Sequence, residues 1–399
     1  MTPEVPAVTA TVAFERWQMP ALVVGVVALA VVIIGSLQSP DQFFRSYLVG
    51  FLFWFGISIG SLAVLMLQFM SGGAWGVVMR RPLEAGAATL PLMGVFFVPI
   101  FFGLHSLYEW THEEVVAADE LLRHKVAYLN VGFFTGRTIA YFAIWITLAY
   151  LLARWERVWE ESGDHWFALR VRRLSAGGLV ALGLTLTFAS VDWMMSLEPH
   201  WFSTMYGISF IVGNMLAGFA FCALIVVWLS KEEPMSRVAV AGNFRDFGNL
   251  QLAFIMLWAY TAFSQYLLIW YGNLIEEIPY YLTRMHGGWG LLAGLLIVFH
   301  FFAPFALLLM RGVKDRARML GVVASLILFM RFLDLHWLVS PAFEGGRFHF
   351  DWRIPVTVIG LGGVWFYVFA RRLGQQSVVP MYEPYVKQAL SEGEAQTHG

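Results

Sequence analysis

Residues 188 to 206 read Phe-Ala-Ser-Val-Asp-Trp-Met-Met-Ser-Leu-Glu-Pro-His-Trp-Phe-Ser-Thr-Met-Tyr, the end of a long apolar run that carries Asp192 inside it. In hydrocarbon an ionised carboxylate costs several kcal/mol unless it is paired, protonated or wetted, so this acid points to a functional site with a partner. An echo follows in Arg331-Phe-Leu-Asp334-Leu-His336-Trp337-Leu-Val-Ser340-Pro341. In both stretches an Asp is followed by Trp-x-x-Ser and then Pro. The remainder of the chain reads as the scaffold that holds these two helix ends.

Composition sets the class. With 59% hydrophobic and 13% charged residues, the chain is far more apolar than a soluble domain, whose charged fraction is near a quarter. The single cysteine, Cys222, excludes internal disulfides, Cys-ligated iron–sulfur clusters and covalent c-type haem, each of which needs more than one thiol. Nothing in the composition points to nucleic acid. The first apolar run, 21–34, has Glu4, Glu15 and Arg16 before it in place of a basic leader, so it reads as a span and not as a signal peptide.

Ten stretches approach the roughly 20 apolar residues that cross a bilayer as a helix: 18–37, 47–70, 89–108, 129–153, 175–196, 206–229, 250–272, 287–310, 319–340 and 355–371. Continuous apolar runs exclude a barrel, whose strands alternate, so the expectation is an all-α polytopic membrane protein. Taking alternate loops, the side holding both termini collects 18 of the 26 Lys and Arg residues and the other side 6, with Arg137 and Arg331 inside spans. By the positive-inside rule both termini are expected to be cytoplasmic. The loop 111–128 is acidic, with Val115, Ala118, Leu122 and Val126 spaced for one helical face; it reads as an interfacial helix, a partner contact or a solvated connection. The integral domain is expected over 1–374, and 375–399 reads as an irregular cytoplasmic tail.

The echo implies a repeat. Aligning spans 2–5 with spans 6–9 takes an offset near 160 in the third and seventh spans and 144 in the fifth and ninth. Two four-helix bundles in the same orientation, flanked by spans 1 and 10, is the simplest architecture.

With this orientation, His105, Glu109, Arg137, Asp192, Arg331, Asp334 and His336 all fall in the outer halves of their helices. They are expected to form one ionisable layer, with Arg137 or Arg331 paired to Asp192, Asp334 or Glu109. A quinol gives up two protons with its two electrons, and a carboxylate or imidazole opening to the outer face is what that reaction requires. Against this stand readings in which the acids and arginines only brace the bundle and His105 and His336 are satisfied core histidines. His300 stands near mid-membrane, apart from the outer layer, as a proton-path or packing residue. His105 with His336 could alternatively hold b-type haem.

At the level of motifs, Phe263-Ser-Gln265-Tyr-Leu-Leu-Ile-Trp270-Tyr271-Gly-Asn273-Leu-Ile-Glu276-Glu277, Lys125-Val-Ala-Tyr128-Leu-Asn130-Val-Gly-Phe133-Phe134-Thr-Gly-Arg137 and the Asp192 block resemble the large membrane subunits of bacterial alternative complex III. These belong to the polysulfide-reductase-type membrane anchor family. The resemblance covers nearly the whole chain, and its length is that of the shorter of the two homologous large subunits. It implies a haem-free, ten-helix subunit of a respiratory quinol:cytochrome c or acceptor oxidoreductase in the electron-transport chain. It also implies partners: a homologous quinol-binding membrane subunit, an iron–sulfur subunit, multihaem and monohaem cytochromes c, a terminal oxidase, and lipids.

Three function classes follow. A quinol or menaquinol site predicts an apolar slot leading to Asp192 and His105. Proton translocation predicts polar groups continuing inward through Ser264, Gln265, His300, Thr185 and Thr187. A secondary transporter predicts helices broken at mid-membrane, where Pro304 is a weak break.

Overall fold

The computed structural model describes residues 11–390, apart from 376, 381 and 384, with side chains from Arg16 onward. Among the described residues the chain is helical, with no strand and ten helices long and apolar enough to cross a membrane. These spans are Arg16–Gly35, Pro40–Ser71, Ala74–Phe102, Val131–Ser162, His165–Leu197, Met205–Leu229, Ala241–Gly272, Trp289–Leu309, Ala317–Ala342 and Arg353–Leu373, numbered 1 to 10 below. The protein is a polytopic α-helical membrane protein.

Several spans outrun their apolar cores. Span 3 begins at Ala74, fifteen residues before the apolar run expected from 89, and takes in Arg80 and Arg81. Both arginines are buried, so they are not the loop charges that alternate counting makes of them. Spans 4 and 5 meet at a turn built by local chemistry. Gly163 ends span 4 at φ 66°, which glycine adopts without steric cost, and the Asp164 carboxylate caps span 5 by accepting from the Trp166 amide at 2.9 Å.

Spans 2, 3, 4 and 5 close one ring of neighbours, and spans 6, 7, 8 and 9 close another. Span 1 packs antiparallel on span 10, which leans on span 2. Its start and the end of span 10 therefore lie together, at what is called here the termini end of the molecule. Most of span 1 faces outward, as a helix bathed in lipid would.

Spans 2 and 6 form the seam between the two rings. A Cβ on Gly60 would fall 1.9 Å from the Asn214 carbonyl oxygen, and one on Gly218 would fall 2.5 Å from the Gly60 backbone. Without a hydrophobic force between helices in lipid, such close backbone approach is what small residues supply. Gly60→Ala is therefore expected to push the two helices apart and to cost about 1–3 kcal/mol of overpacking. A lower thermal midpoint and folded yield in detergent checks this, and a wild-type midpoint contradicts it.

The tail is not irregular throughout. Val378, Val379 and Val386 are buried, and a last helical turn packs against the termini end, with Tyr385 Oη donating to Asn243 Oδ1 at 3.0 Å. Residues 391–399 of the expected tail lie outside the described residues. The loop 111–128 likewise departs from the single amphipathic face. It forms two short helices, Glu113–Ala118 and Glu120–Lys125, broken at Asp119, and of the four apolar positions Val115 and Val126 are exposed while Leu122 is buried. Asp119 caps the second helix and meets His200 at 2.6 Å, a contact that holds its carboxyl below the usual range.

Candidate functional site

The expected layer of ionisable groups divides between the bundles into two buried clusters, leaves His105 and Glu109 outside both, and is joined by a third cluster at the termini end. The first is at the far end of the first bundle. Asn130 caps span 4, accepting from the Phe133 amide at 2.8 Å, and this sets Arg137 two turns into the helix. Its guanidinium grips Asp192 with two bonds, Nε to Oδ2 at 2.9 Å and NH2 to Oδ1 at 2.8 Å, and donates to the Tyr128 carbonyl at 3.0 Å. Tyr141 donates to Oδ2 at 2.8 Å. The Arg137 cation lies over the rings of Tyr128 and Phe133 at 3.8 and 4.2 Å. Asp192 is thus fully satisfied, and Trp193 behind it sits among Phe51, Phe55, Phe97, Phe142 and Trp145.

The motif continues across the molecule. Ser196 donates back to the Asp192 carbonyl, Glu198 accepts from the buried Arg284 at 2.6 and 3.2 Å, and Lys125 donates to the Pro199 carbonyl at 2.5 Å. Arg284 follows span 7, so Glu198 ties the two bundles together at this end. Neither Glu198 nor Arg284 stands out in the sequence, because both lie in what reads as loop. Trp201 stacks on Tyr280 at 3.8 Å beside them.

His105 and Glu109 do not join this group. Both are exposed, and His105 stacks on His112 with ring centroids 3.7 Å apart. Buried Tyr108, between the two in the chain's packing, donates its hydroxyl to the Trp193 carbonyl at 3.0 Å. Nor do His105 and His336 face each other. His336 belongs to the second bundle, where Nδ1 meets the Ser340 hydroxyl at 2.7 Å and the ring lies beside Trp289, so the geometry of a shared haem iron is not present. Among the described residues no group of three His, Cys, Asp or Glu side chains could hold a metal ion.

The second cluster lies inside the second bundle. Arg331 pairs with Asp334 one turn along span 9 and donates from NH2 to Asn214 Oδ1 of span 6 at 3.2 Å. Gly213 makes room for it, since a Cβ there would fall 2.5 Å from the guanidinium carbon. The Trp258 indole faces Asp334 from span 7 and stacks on His300 of span 8 at 4.1 Å, and His300 lies within electrostatic reach of Arg331. His300 was expected to stand apart from these residues; the structure brings them together. It occupies a π-helical stretch, Leu296–Phe302. Pro304 follows four residues after it, and its missing N–H and its ring forbid the ordinary bond to the His300 carbonyl, which accounts for the widened turn.

This cluster differs from the first in satisfaction. His300 is fully buried with neither ring nitrogen bonded to protein, and Arg331 Nε, Asn214 Nδ2 and His336 Nε2 are likewise without partners. Span 7 extends the polar line both ways, with Gln251, Trp258 and Gln265 seven residues apart on its buried face. At 1.5 Å per residue these steps are about 10 Å each. Gln265 accepts from Ser203 at 3.3 Å and donates to Tyr281 at 3.2 Å, whereas both polar atoms of Gln251, toward the termini end, are unpartnered. Ser264 is half-buried beside this line. Thr185 and Thr187 are not part of it. They lie on span 5 in the first bundle and bond back to the Ala181 and Gly183 carbonyls at 2.8 Å.

The third cluster, at the termini end of the first bundle, was not foreseen. Arg80 holds Glu383 of the tail at 2.6 Å and Tyr382 at 2.7 Å, Arg81 holds Glu84 at 2.9 Å and Glu160 at 2.7 Å, and buried Glu156 lies 3.8 Å from both arginines. An Arg-Arg pair followed at i+3 by Glu inside an otherwise helical stretch was the one available signal. No protein-family model matches this chain, and no curated protein matches it.

Proposed function

We propose that the chain is the proton-handling membrane subunit of a quinol-oxidising respiratory complex of the alternative complex III type, and that its route runs through the second bundle. The observation that carries the reading is the buried set His300, Trp258, Arg331 and Asp334, with both His300 nitrogens unpartnered at a π-turn. Ionisable groups inside a membrane bundle mark proton or substrate pathways, and π-turns gather at functional sites. A neutral imidazole accepts a proton at one nitrogen and releases one from the other. His300 would exchange protons with Asp334, held as counter-ion by Arg331, and release them toward the termini end, where the Gln251 amide, which does not itself titrate, offers a donor and an acceptor along the line. Gln265 continues the line in the opposite direction.

The same geometry argues against quinol oxidation at Asp192. Each of its oxygens is taken and its surroundings are packed aromatic rings, so a quinol hydroxyl finds no free acceptor there. Quinol chemistry then belongs to a homologous partner subunit, with iron–sulfur and cytochrome c subunits carrying the electrons away. In this reading the chain is not an enzyme by itself, lies in a bacterial inner membrane and has both termini in the cytoplasm.

The test uses the whole complex reconstituted in vesicles, comparing protons moved per electron with His300→Phe. Electron transfer and assembly are expected to persist while the proton-to-electron ratio falls. An unchanged ratio in the assembled variant removes His300, and with it this route.

A further inference from the structure

The connection between spans 9 and 10, residues 343–352, runs over the far end of the second bundle. Of its residues only Asp351 is buried, so little apolar surface holds it down. It is fastened to the turn before span 8 by a backbone bond from the Phe348 amide to the Gly287 carbonyl at 2.7 Å. Gly287 and Gly346 meet there at φ 61° and 79°, and a Cβ on Gly287 would fall 1.9 Å from the Gly346 carbonyl oxygen, so glycine is what seats the loop this closely.

Under the loop lie polar groups with nothing to bond. His336 is 2% exposed; its Nδ1 meets the Ser340 hydroxyl, while Nε2 has no partner. The indole N–H of Trp289, fully buried beside it, is unpartnered too. Phe348 lies against both, its ring centroid 5.0 Å from that of Trp289 and 6.0 Å from that of His336, yet Phe348 itself is 40% exposed. A buried donor or acceptor left unbonded costs the closed state what water returns to it once the loop lifts. Closure therefore sets the Phe348 contacts and the backbone bond against two groups that gain from wetting.

We propose that residues 343–350 are a lid, that its lifting admits far-side water to His336, and that His336 is where the second bundle exchanges protons with that water. Its use as a proton gate rests on the route proposed above, whereas the lid stands on the packing alone. His336 follows Asp334 by two residues on span 9, on the way to the far end, and a neutral imidazole takes a proton at one nitrogen and gives one up from the other. Asp351, paired with Arg353 at 3.1 Å, lies within electrostatic reach of the ring and steadies it while the proton is on it. With the lid down, Phe348 keeps water from the line that leads inward to His300.

The lid is read by treating the full chain in nanodiscs with diethyl pyrocarbonate and following each histidine by mass spectrometry. Exposed His349 is expected to react fast, His336 slowly and His300 not at all. Phe348→Ala should speed the reaction of His336 about fivefold, the change in opening that loss of one such aromatic contact brings. Gly287→Ala, which unseats the loop at its other anchor, should do the same, and Phe350→Ala, an exposed neighbour on the lid, should not. A His336 that reacts no faster in Phe348→Ala than in Phe350→Ala overturns the lid, as does His300 reacting in step with it, which would show general unfolding. The gate is read in the whole complex reconstituted in vesicles, where His336→Phe should lower the proton-to-electron ratio with assembly and electron transfer kept. A ratio lowered by His300→Phe but not by His336→Phe overturns the gate and leaves the route; a ratio lowered by neither overturns both.

Discussion

Replacing Arg137 with Gln is expected to remove most of the folded protein from the membrane, because it leaves Asp192 buried with its main counter-charge gone. Breaking a buried pair by deleting one partner costs about 3–5 kcal/mol, a large part of a typical domain's total stability. The loss also takes the cation from the faces of Tyr128 and Phe133 and a donor from the Tyr128 carbonyl. Asp192→Asn should do comparable damage from the other side. The double variant Arg137→Gln with Asp192→Asn has no uncompensated charge and is expected to recover much of the yield and thermal midpoint of either single one. Fluorescence-detected size exclusion after detergent extraction measures all three. If the double variant is as unstable as the sum of the singles, the pair is not the coupled unit that its two hydrogen bonds describe.

Asp334→Asn carries the second large effect, and it separates bracing from proton work. Arg331 would keep only the Asn214 contact for its charge, so about 3–5 kcal/mol of destabilisation is again expected from a bracing role. Adding Arg331→Gln removes the stranded cation. Stability should then return, but if Asp334 exchanges protons with His300 the reconstituted complex should still move fewer protons per electron. Restored stability together with a full proton ratio would leave Arg331 and Asp334 as structural residues alone. This arm also tells a failed route from a failed fold, since it is read only in assembled complex.

The spans were legible because twenty apolar residues have few alternatives to a membrane helix. Their ends were less so where charged residues continue the helix. Arg80 and Arg81 count as loop charges until the structure buries them beside Glu156 of span 4. The Asp192 and Asp334 motifs were legible as buried acids in need of partners, and Arg137 and Arg331 as the arginines that could pair with them, though not which arginine meets which acid. Their separation into two bundles was not, because counting residues along a helix gives height but not which bundle or face a side chain enters. His300 illustrates this: its height separated it from Asp334 on paper, while Trp258 bridges them in space. Glu198 and Arg284 were illegible for another reason, since each lies in a connection and only the packing of two bundles brings them within 2.6 Å. The spacing of Gln251, Trp258 and Gln265 was readable as a seven-residue stripe and is the signal that a closer reading of span 7 would have used.

The glycine seam between spans 2 and 6 bears on what kind of machine this can be. Carriers that expose a site first to one side and then to the other do so by tilting two halves against each other, and that motion needs an interface able to open and slide. Here the halves meet backbone to backbone at Gly60 and Gly218, and the far end is bolted by Glu198 on Arg284. Prising them apart would expose peptide groups and strand a buried arginine. On the proton-route reading proposed above, the two bundles act as one stiff body and what crosses passes by the turning of side chains.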